Sequence, residues 1–223
     1  MRCAVAMRRK AGRGLRTAAL ATVAGAVLAS PLSMPAQALG QTYAALPPVT
    51  GAAEIGGPAK PIIAWVSFCR SYAEECAVDT SEPARIALTP AVWSSIVAVN
   101  RKVNRSVEAM TDMDHLHVPD RWDLAEDGIG DCEDFQLLKR HLLARAGLPR
   151  RAMRMTVVID EKGEGHAVLT LLTDRGDLIL DNKTSAVLPW HQTGYTFIKR
   201  ESQDAVAWVS LGGLTSPATT ANR

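Results

Sequence analysis

The hydrophobic pattern of this chain changes period once, at Gly147-Leu148-Pro149, and that change restricts the fold more than any other feature. Before it, apolar residues recur every three or four positions, as on one face of a helix; after it they come in short β-branched or leucine-rich runs. Upstream, Thr89-Pro90 reads as an N-cap with proline in the first turn. The helix it opens carries Trp93, Ile96, Val97, Val103, Val107 and Met110 as its stripe, with Arg101, Lys102 and Arg105 between them. A second helix carries Leu137, Leu138, Leu142 and Leu143 and is stopped by Gly147-Leu148-Pro149. Downstream, residues 153–159, 166–172, 177–180, 195–200 and 208–211 read as strands, the first three separated by the turn-like EKGEG and TDRG. Helices first and strands second predict an α+β fold, with the second helix packed on an antiparallel sheet.

The N-terminus points to export. Arg2, Arg8, Arg9, Lys10, Arg13 and Arg16 precede an Ala-rich apolar run, and Ala36-Gln37-Ala38 supplies a small-x-small cleavage pattern. This is the layout of a secretory signal peptide over residues 1–38, too short in its apolar run to span a bilayer. The expected location is periplasmic or secreted, after cleavage near Ala38. Removing those six basic residues turns 25 basic against 23 acidic into 19 against 23, so the mature chain is near −4. A nucleic-acid partner loses its main support. No second apolar run reaches membrane length, so no span is expected in the mature chain. Residues 39–60 read as an extended lead-in, 61–211 as one domain, and 212–223 as a disordered tail.

Cleavage leaves Cys69, Cys76 and Cys132, an odd number in an oxidising compartment. On one continuous helix Cys69 and Cys76 would stand about 10 Å apart, so a bridge between them requires a break in the helix. Cys132 is the cysteine left over. It sits in GIGDCEDF, at the predicted start of the second helix, where unpaired N–H groups and the helix dipole favour a thiolate and can hold an oxyanion. A nucleophile needs a base. His141 lies nine residues along the same helix and faces the opposite way. His115 and His117 belong to the polar 111–130 connection, where Asp112 and Asp114 would make them a weak metal site. His191 lies past the sheet core. His166 opens a strand expected to pack beside the helix of Cys132, and Asp181 closes the next strand as the carboxylate that would orient the imidazole. A tight turn at Arg175-Gly176 would set Asp181 opposite Thr170. A turn centred on Thr173-Asp174 would set it directly opposite His166, and the triad requires that register or a bulge producing it. Asn182 is the alternative orienting residue, but strand parity puts it on the other face.

The segments GDCEDFQLLKRHLLARAGLP, GHAVLT and LILDN, in this order, resemble the bacterial transglutaminase-like cysteine peptidase family, which includes the LapG-type periplasmic proteases. WVSFC…EECAVD, VNRSVEAMTD and DRWDLAEDGIGDCEDF are similar to that family as well, so the resemblance spans about residues 61–211. It implies a papain-like, transglutaminase-like core with Cys132 as nucleophile, His166 as general base and Asp181 as orienting acid. The Trp122 indole is a candidate oxyanion donor. Asp131, Glu133 and Asp134 flank the cysteine, where carboxylates disfavour a thiolate and a bound cation would reverse the penalty. LapG-type members use calcium at the positions matching Asp131 and Glu133, so calcium is the expected cofactor, with no organic cofactor.

The leading expectation is therefore an exported cysteine endopeptidase that forms an acyl-enzyme on a protein substrate. In LapG-type members that substrate is a large surface adhesin, and a membrane receptor or inhibitor is a further conceivable partner. One alternative keeps the acyl-enzyme but passes it to an amine, or to water at glutamine, as in a transglutaminase or deamidase. The other is a non-catalytic binding module that senses calcium through its acidic loop.

Overall fold

The structure, a computed structural model, describes residues 45–215. The predicted export signal and the last eight residues of the predicted tail lie outside the described residues. Helices α1 (Ile63–Ser71) and α2 (Ala73–Cys76) come first and are separated at Tyr72, whose φ of −125° and ψ of 62° leave the helical region. That is the break the Cys69–Cys76 bridge requires, and the disulfide is formed across it with the Cα atoms 5.5 Å apart. Helix α3 (Pro90–Ser106) opens as expected, with the Val92 N–H donating to Thr89 Oγ1 at 3.2 Å. It ends at Ser106, so Met110 of the predicted stripe falls beyond it. The 111–130 connection holds a single helical turn, α4 (Asp112–His115), and is closed by a parallel pairing of β2 (Glu108–Ala109) with β3 (Ile129–Gly130).

Helix α5 (Cys132–Arg145) follows β3 directly and ends on Gly147, at φ +90°. Its burial goes well past the predicted leucine stripe. Leu137 and Leu143 are in the core, but so are Glu133, Asp134, Gln136, Lys139 and Arg140. The helix lies against a seven-stranded sheet made of β1 (Pro58–Ala59), β4 (Met153–Ile159), β5 (Gly165–Thr173), β6 (Gly176–Leu180), β7 (Leu188–Pro189), β8 (Thr196–Glu201) and β9 (Trp208–Thr215). The order is β1-β9-β8-β4-β5-β6-β7, with every pairing antiparallel. Strand β9 runs to Thr215, with Leu214 and Thr215 paired to Phe197 and Thr196, past the expected domain end at 211. From residue 45 the lead-in is extended and attached: β1 pairs with β9, and the Ala53 N–H donates to Asp177.

Alternation along the strands divides the core in two. Met153, Met155, Val157, Leu169, Leu171, Leu178 and Leu180 belong to the cluster that holds Leu137 and Leu143 of α5, Ile96 of α3 and Trp65 and Phe68 of α1. Val158, Val168, Ile179, Phe197 and Tyr195 form the second cluster, with Ala53 of the lead-in.

The β5–β6 register differs from both expected ones. Thr173 pairs with Gly176 and Leu169 with Leu180, so the turn centres on Asp174-Arg175, midway between the two alternatives. Two details hold it there. The Thr173 hydroxyl donates to the Gly176 carbonyl at 2.7 Å, and Gly176 takes φ +101° beside Thr50, where a Cβ would meet Thr50 Oγ1 at 2.4 Å. Continuing this register puts Asp181 level with Val168, two residues from His166 and on the same face, a diagonal that long side chains can bridge.

A buried charge network joins helix to sheet. Arg140 Nη1 donates to Glu201 Oε2 at 2.6 Å, and Glu201 also accepts from the Trp65 indole at 2.6 Å and the Met155 N–H at 2.9 Å. Glu75, next to the disulfide, takes His141 Nδ1 at 2.7 Å and an ion pair from Arg150. Removing one partner of such a pair strands the other charge in the core. Arg140→Met is therefore expected to lower the unfolding free energy by about 3–5 kcal/mol. Arg140→Met/Glu201→Gln should cost less than the single substitution. Urea unfolding of both variants checks this.

Candidate active site

The first turn of α5 places the cysteine. Asp131 is the N-cap residue and Cys132 the first helical residue, while the Asp131 N–H donates to Asp134 Oδ2 at 3.2 Å. Gly130 permits this: a Cβ there would come within 2.8 Å of the Asp134 Cβ. The Ala167 N–H donates to Cys132 Sγ at 3.2 Å, so the sulfur sits against the strand residue that follows His166.

On that strand, His166 Nε2 and Asp181 Oδ1 are 2.8 Å apart. His166 Nδ1 is buried with no hydrogen-bond partner among the described residues. Asp181 accepts further bonds from the Lys183 N–H at 3.0 Å on Oδ1 and from the Tyr195 hydroxyl at 2.6 Å on Oδ2. Burial works to raise the pKa of Asp181, but the hydrogen bond and charge of His166, with the Tyr195 and Lys183 donors, outweigh it and hold the group at about 2. The structure pairs His166 with Asp181 and sets the Cys132 sulfur against the backbone of Ala167, the residue after His166. It leaves Asn182 aside, 3.4 Å from Gln136 of α5, as parity indicated.

The other histidines are elsewhere. His141 binds Glu75, His115 pairs with Asp127 at 3.1 Å, and His117 Nδ1 is 3.3 Å from the Met113 carbonyl. His191 lies in the 3₁₀ turn Trp190–Gln192. The proposed His115, His117, Asp112 and Asp114 grouping does not form, since Asp114 faces Thr111 and only Asp112 turns toward the cysteine loop.

Asp131, Glu133 and Asp134 do converge, joined by Asp112 and Asp120. One carboxylate oxygen each from Asp112, Asp120 and Glu133 lie within 4.8 Å of one another, as do those of Asp112, Asp131 and Asp134. Burial and then the neighbouring charges push Asp134 up to about 9, and burial with the charge of Asp112 pushes Asp131 up to about 6. Burial, Asp131 and Asp134 hold Glu133 well above the usual carboxylate range. Glu133 Oε2 is 3.3 Å from Cys132 Sγ, so the ionisation of this cluster bears directly on the sulfur. The donors are all oxygen, buried except for the half-buried Asp120, and in excess of local positive charge, and Asp131 Oδ1 has no hydrogen-bond partner among the described residues. That set fits a hard cation such as calcium and lacks the nitrogen or sulfur donors of a zinc site.

Beside this loop an open groove of about 610 Å³ runs between α1 and residues 119–123, lined by Ile63, Phe68, Tyr72, Arg121, Trp122 and Asp123 among others. The Asp123 N–H donates to Asp134 Oδ1 at 2.8 Å, tying the groove wall to α5. The Trp122 indole nitrogen has no hydrogen-bond partner among the described residues, and nothing in its placement marks it as an oxyanion donor.

Residues 55–216 match the family described as bacterial transglutaminase-like cysteine proteinase, BTLCP. The chain belongs to this family. Among solved structures it is similar to Legionella pneumophila LapG, at 24% identity and a TM-score of 0.47 over 59% of this chain and 74% of that one. A calcium-bound form of the same protein gives 22% identity and 0.45 over 56% and 71%, and an EGTA-treated form 26% and 0.41 over 48% and 61%. No curated protein matches in sequence. The mixed fold of helices on an antiparallel sheet is the transglutaminase-like one expected.

Several contributors were not singled out from the sequence. Asp120 carried no mark beyond lying in an acidic loop. Asn104 Nδ2 donates to the Asp181 carbonyl at 2.8 Å and Asn100 Nδ2 to that of Ser185 at 3.2 Å, so α3 pins the loop after β6. Their spacing of four, inside an apolar stripe, was the available signal. The raised carboxylates of the cysteine loop make a pH prediction. Groups whose folded pKa values exceed the unfolded value near 3.8 stabilise the fold below that pH and lose the contribution as pH rises through about 6 and about 9. Metal-free protein should therefore show a falling thermal midpoint between about pH 4 and 9, and Asp134→Asn should flatten the fall.

Proposed function

We propose that this protein is an exported cysteine endopeptidase whose Cys132, His166 and Asp181 act as a triad on a protein substrate. The observation that carries the reading is the imidazole: Nε2 is engaged by Asp181 at 2.8 Å, Nδ1 has no partner among the described residues, and the next backbone N–H touches the cysteine sulfur. Asp181 accepting from Nε2–H selects the tautomer whose Nδ1 lone pair takes the thiol proton. The thiolate adds to the scissile carbonyl, and N–H groups at the start of α5 face the developing oxyanion. The imidazolium returns its proton to the leaving amine, leaving a thioester. Water, deprotonated by His166, then releases the acid and restores the thiol.

Asp112, Asp120, Asp131, Glu133 and Asp134 would hold calcium in this reading. Bound there, the ion offsets the carboxylate charge that stands 3.3 Å from the sulfur. The substrate that goes with the family resemblance is a large cell-surface adhesin, met in the periplasm or outside the cell, with a membrane receptor or inhibitor as a regulatory partner. The groove along α1 gives an extended segment a place to lie.

Iodoacetamide labelling of Cys132, followed by mass spectrometry, tests the chemistry. His166→Ala is expected to slow it about a hundredfold, the lower range for loss of a general base. Chelation should slow the wild-type protein as well. A rate indifferent to His166 would sink the reading. Cleavage of an exported surface protein by wild type but not by Cys132→Ala, without incorporation of a labelled amine at glutamine, would separate hydrolysis from acyl transfer.

A further inference from the structure

We propose that Tyr195 is a positioning residue of the active site, holding the Asp181 carboxylate in the plane that fixes the His166 tautomer. The inference rests on the cysteine peptidase reading. Tyr195 directly precedes β8, and its side chain is buried beneath the His166–Asp181 pair. The hydroxyl donates to Asp181 Oδ2 at 2.6 Å, while the ring meets the imidazole edge-on, with centroids 5.7 Å apart and planes at 81°. Asp181 is thereby gripped at both oxygens, with Oδ1 serving His166 Nε2 and the Lys183 N–H.

A carboxylate tethered at one oxygen can turn about its terminal bond, which is broad and nearly two-fold. A buried one with an unserved oxygen also has reason to turn, because that oxygen carries a desolvation penalty. The tyrosine donor removes both freedoms. Burial and the charge of Asp181 raise the Tyr195 pKa, so the phenol keeps its proton and always donates. Lys183 completes the arrangement. Its ammonium lies 5.8 Å from the centre of the Tyr195 ring and forms an ion pair with Asp160. Asp160 in turn caps the β4–β5 turn by accepting from the Lys162 N–H at 2.9 Å and the Glu164 N–H at 2.8 Å. The turn that precedes His166 and the loop that follows Asp181 are therefore tied together over the same phenol.

The test compares wild type, Tyr195→Phe, Asp181→Asn and the double variant by iodoacetamide labelling of Cys132 and by ¹⁵N NMR of His166. Tyr195→Phe keeps the ring and removes only the donor. It is expected to slow labelling about tenfold, the scale of one hydrogen bond to a charged group. It should also turn a neutral His166 protonated at Nε2 into a tautomer mixture. In the Asp181→Asn background the same change should alter the rate less than twofold. Unchanged rate and tautomer in folded Tyr195→Phe, or a full tenfold loss that persists without Asp181, would overturn the proposal. Should Tyr195→Phe fail to fold, 3-fluorotyrosine at position 195 keeps the shape and strengthens the donor. The proposal then requires a shift of the His166 Nε2 proton resonance, and no shift refutes it. A labelling rate indifferent to His166→Ala would instead bring down the peptidase reading, and this inference with it.

Discussion

Helix α5 is buried on nearly every side although it carries charges, and the rest of the molecule is arranged around satisfying them. Arg140 has to meet Glu201 and Lys139 has to meet Gln136, because an unpaired charge in the core would cost more than one helix returns in packing. Burial lowers Lys139 to about 7 against the opposing charge of Asp181. Those demands determine which strand packs where. Glu201 closes β8, and its second oxygen is held by Trp65 of α1, so one ion pair sets the helix, the sheet and the N-terminal helix at fixed distances from one another.

The same burial explains why a cysteine stands among acids. At the first turn of α5 carboxylates favour the helix dipole, but Asp131, Glu133 and Asp134 are buried there and meet Asp112 and the half-buried Asp120. The resulting upward pKa shifts mean the cluster is costly to ionise without a counter-charge. The sulfur next to Glu133 shares that cost. A cation bound among these carboxylates would lower that cost.

Much of this was readable from residues alone. Thr89-Pro90, the leucines of α5 and the residue pattern after Pro149 each carried a local signal with a physical cause, and the elements formed accordingly. Cys132, His166 and Asp181 were nameable because helix start, strand start and strand end are positions that sequence marks. What escaped was set by contacts between distant segments. The β5–β6 register depends on Thr50 meeting Gly176, 126 positions apart in the chain, which no hairpin rule contains. Tyr195 had no local mark at all, since its role exists only where the residue before β8 meets the one that follows β6. The polar residues of α5 read as a solvated face until the sheet, α1 and α3 enclosed them.

The hairpin turn at Asp174-Arg175 has a consequence out of proportion to its place at the far end of the sheet. Side chains alternate faces along β6, so one residue more or fewer between Thr173 and Gly176 would rotate Asp181 from the side of Tyr195 to the side of α5. Two residues more or fewer would keep the side but slide the carboxylate along the strand, out of reach of the imidazole or squarely opposite it. The length of this turn works as a ruler for the active site. Drift in turn composition is compatible with function as long as the count is kept, whereas a single insertion there would disarm the site without touching any residue in it.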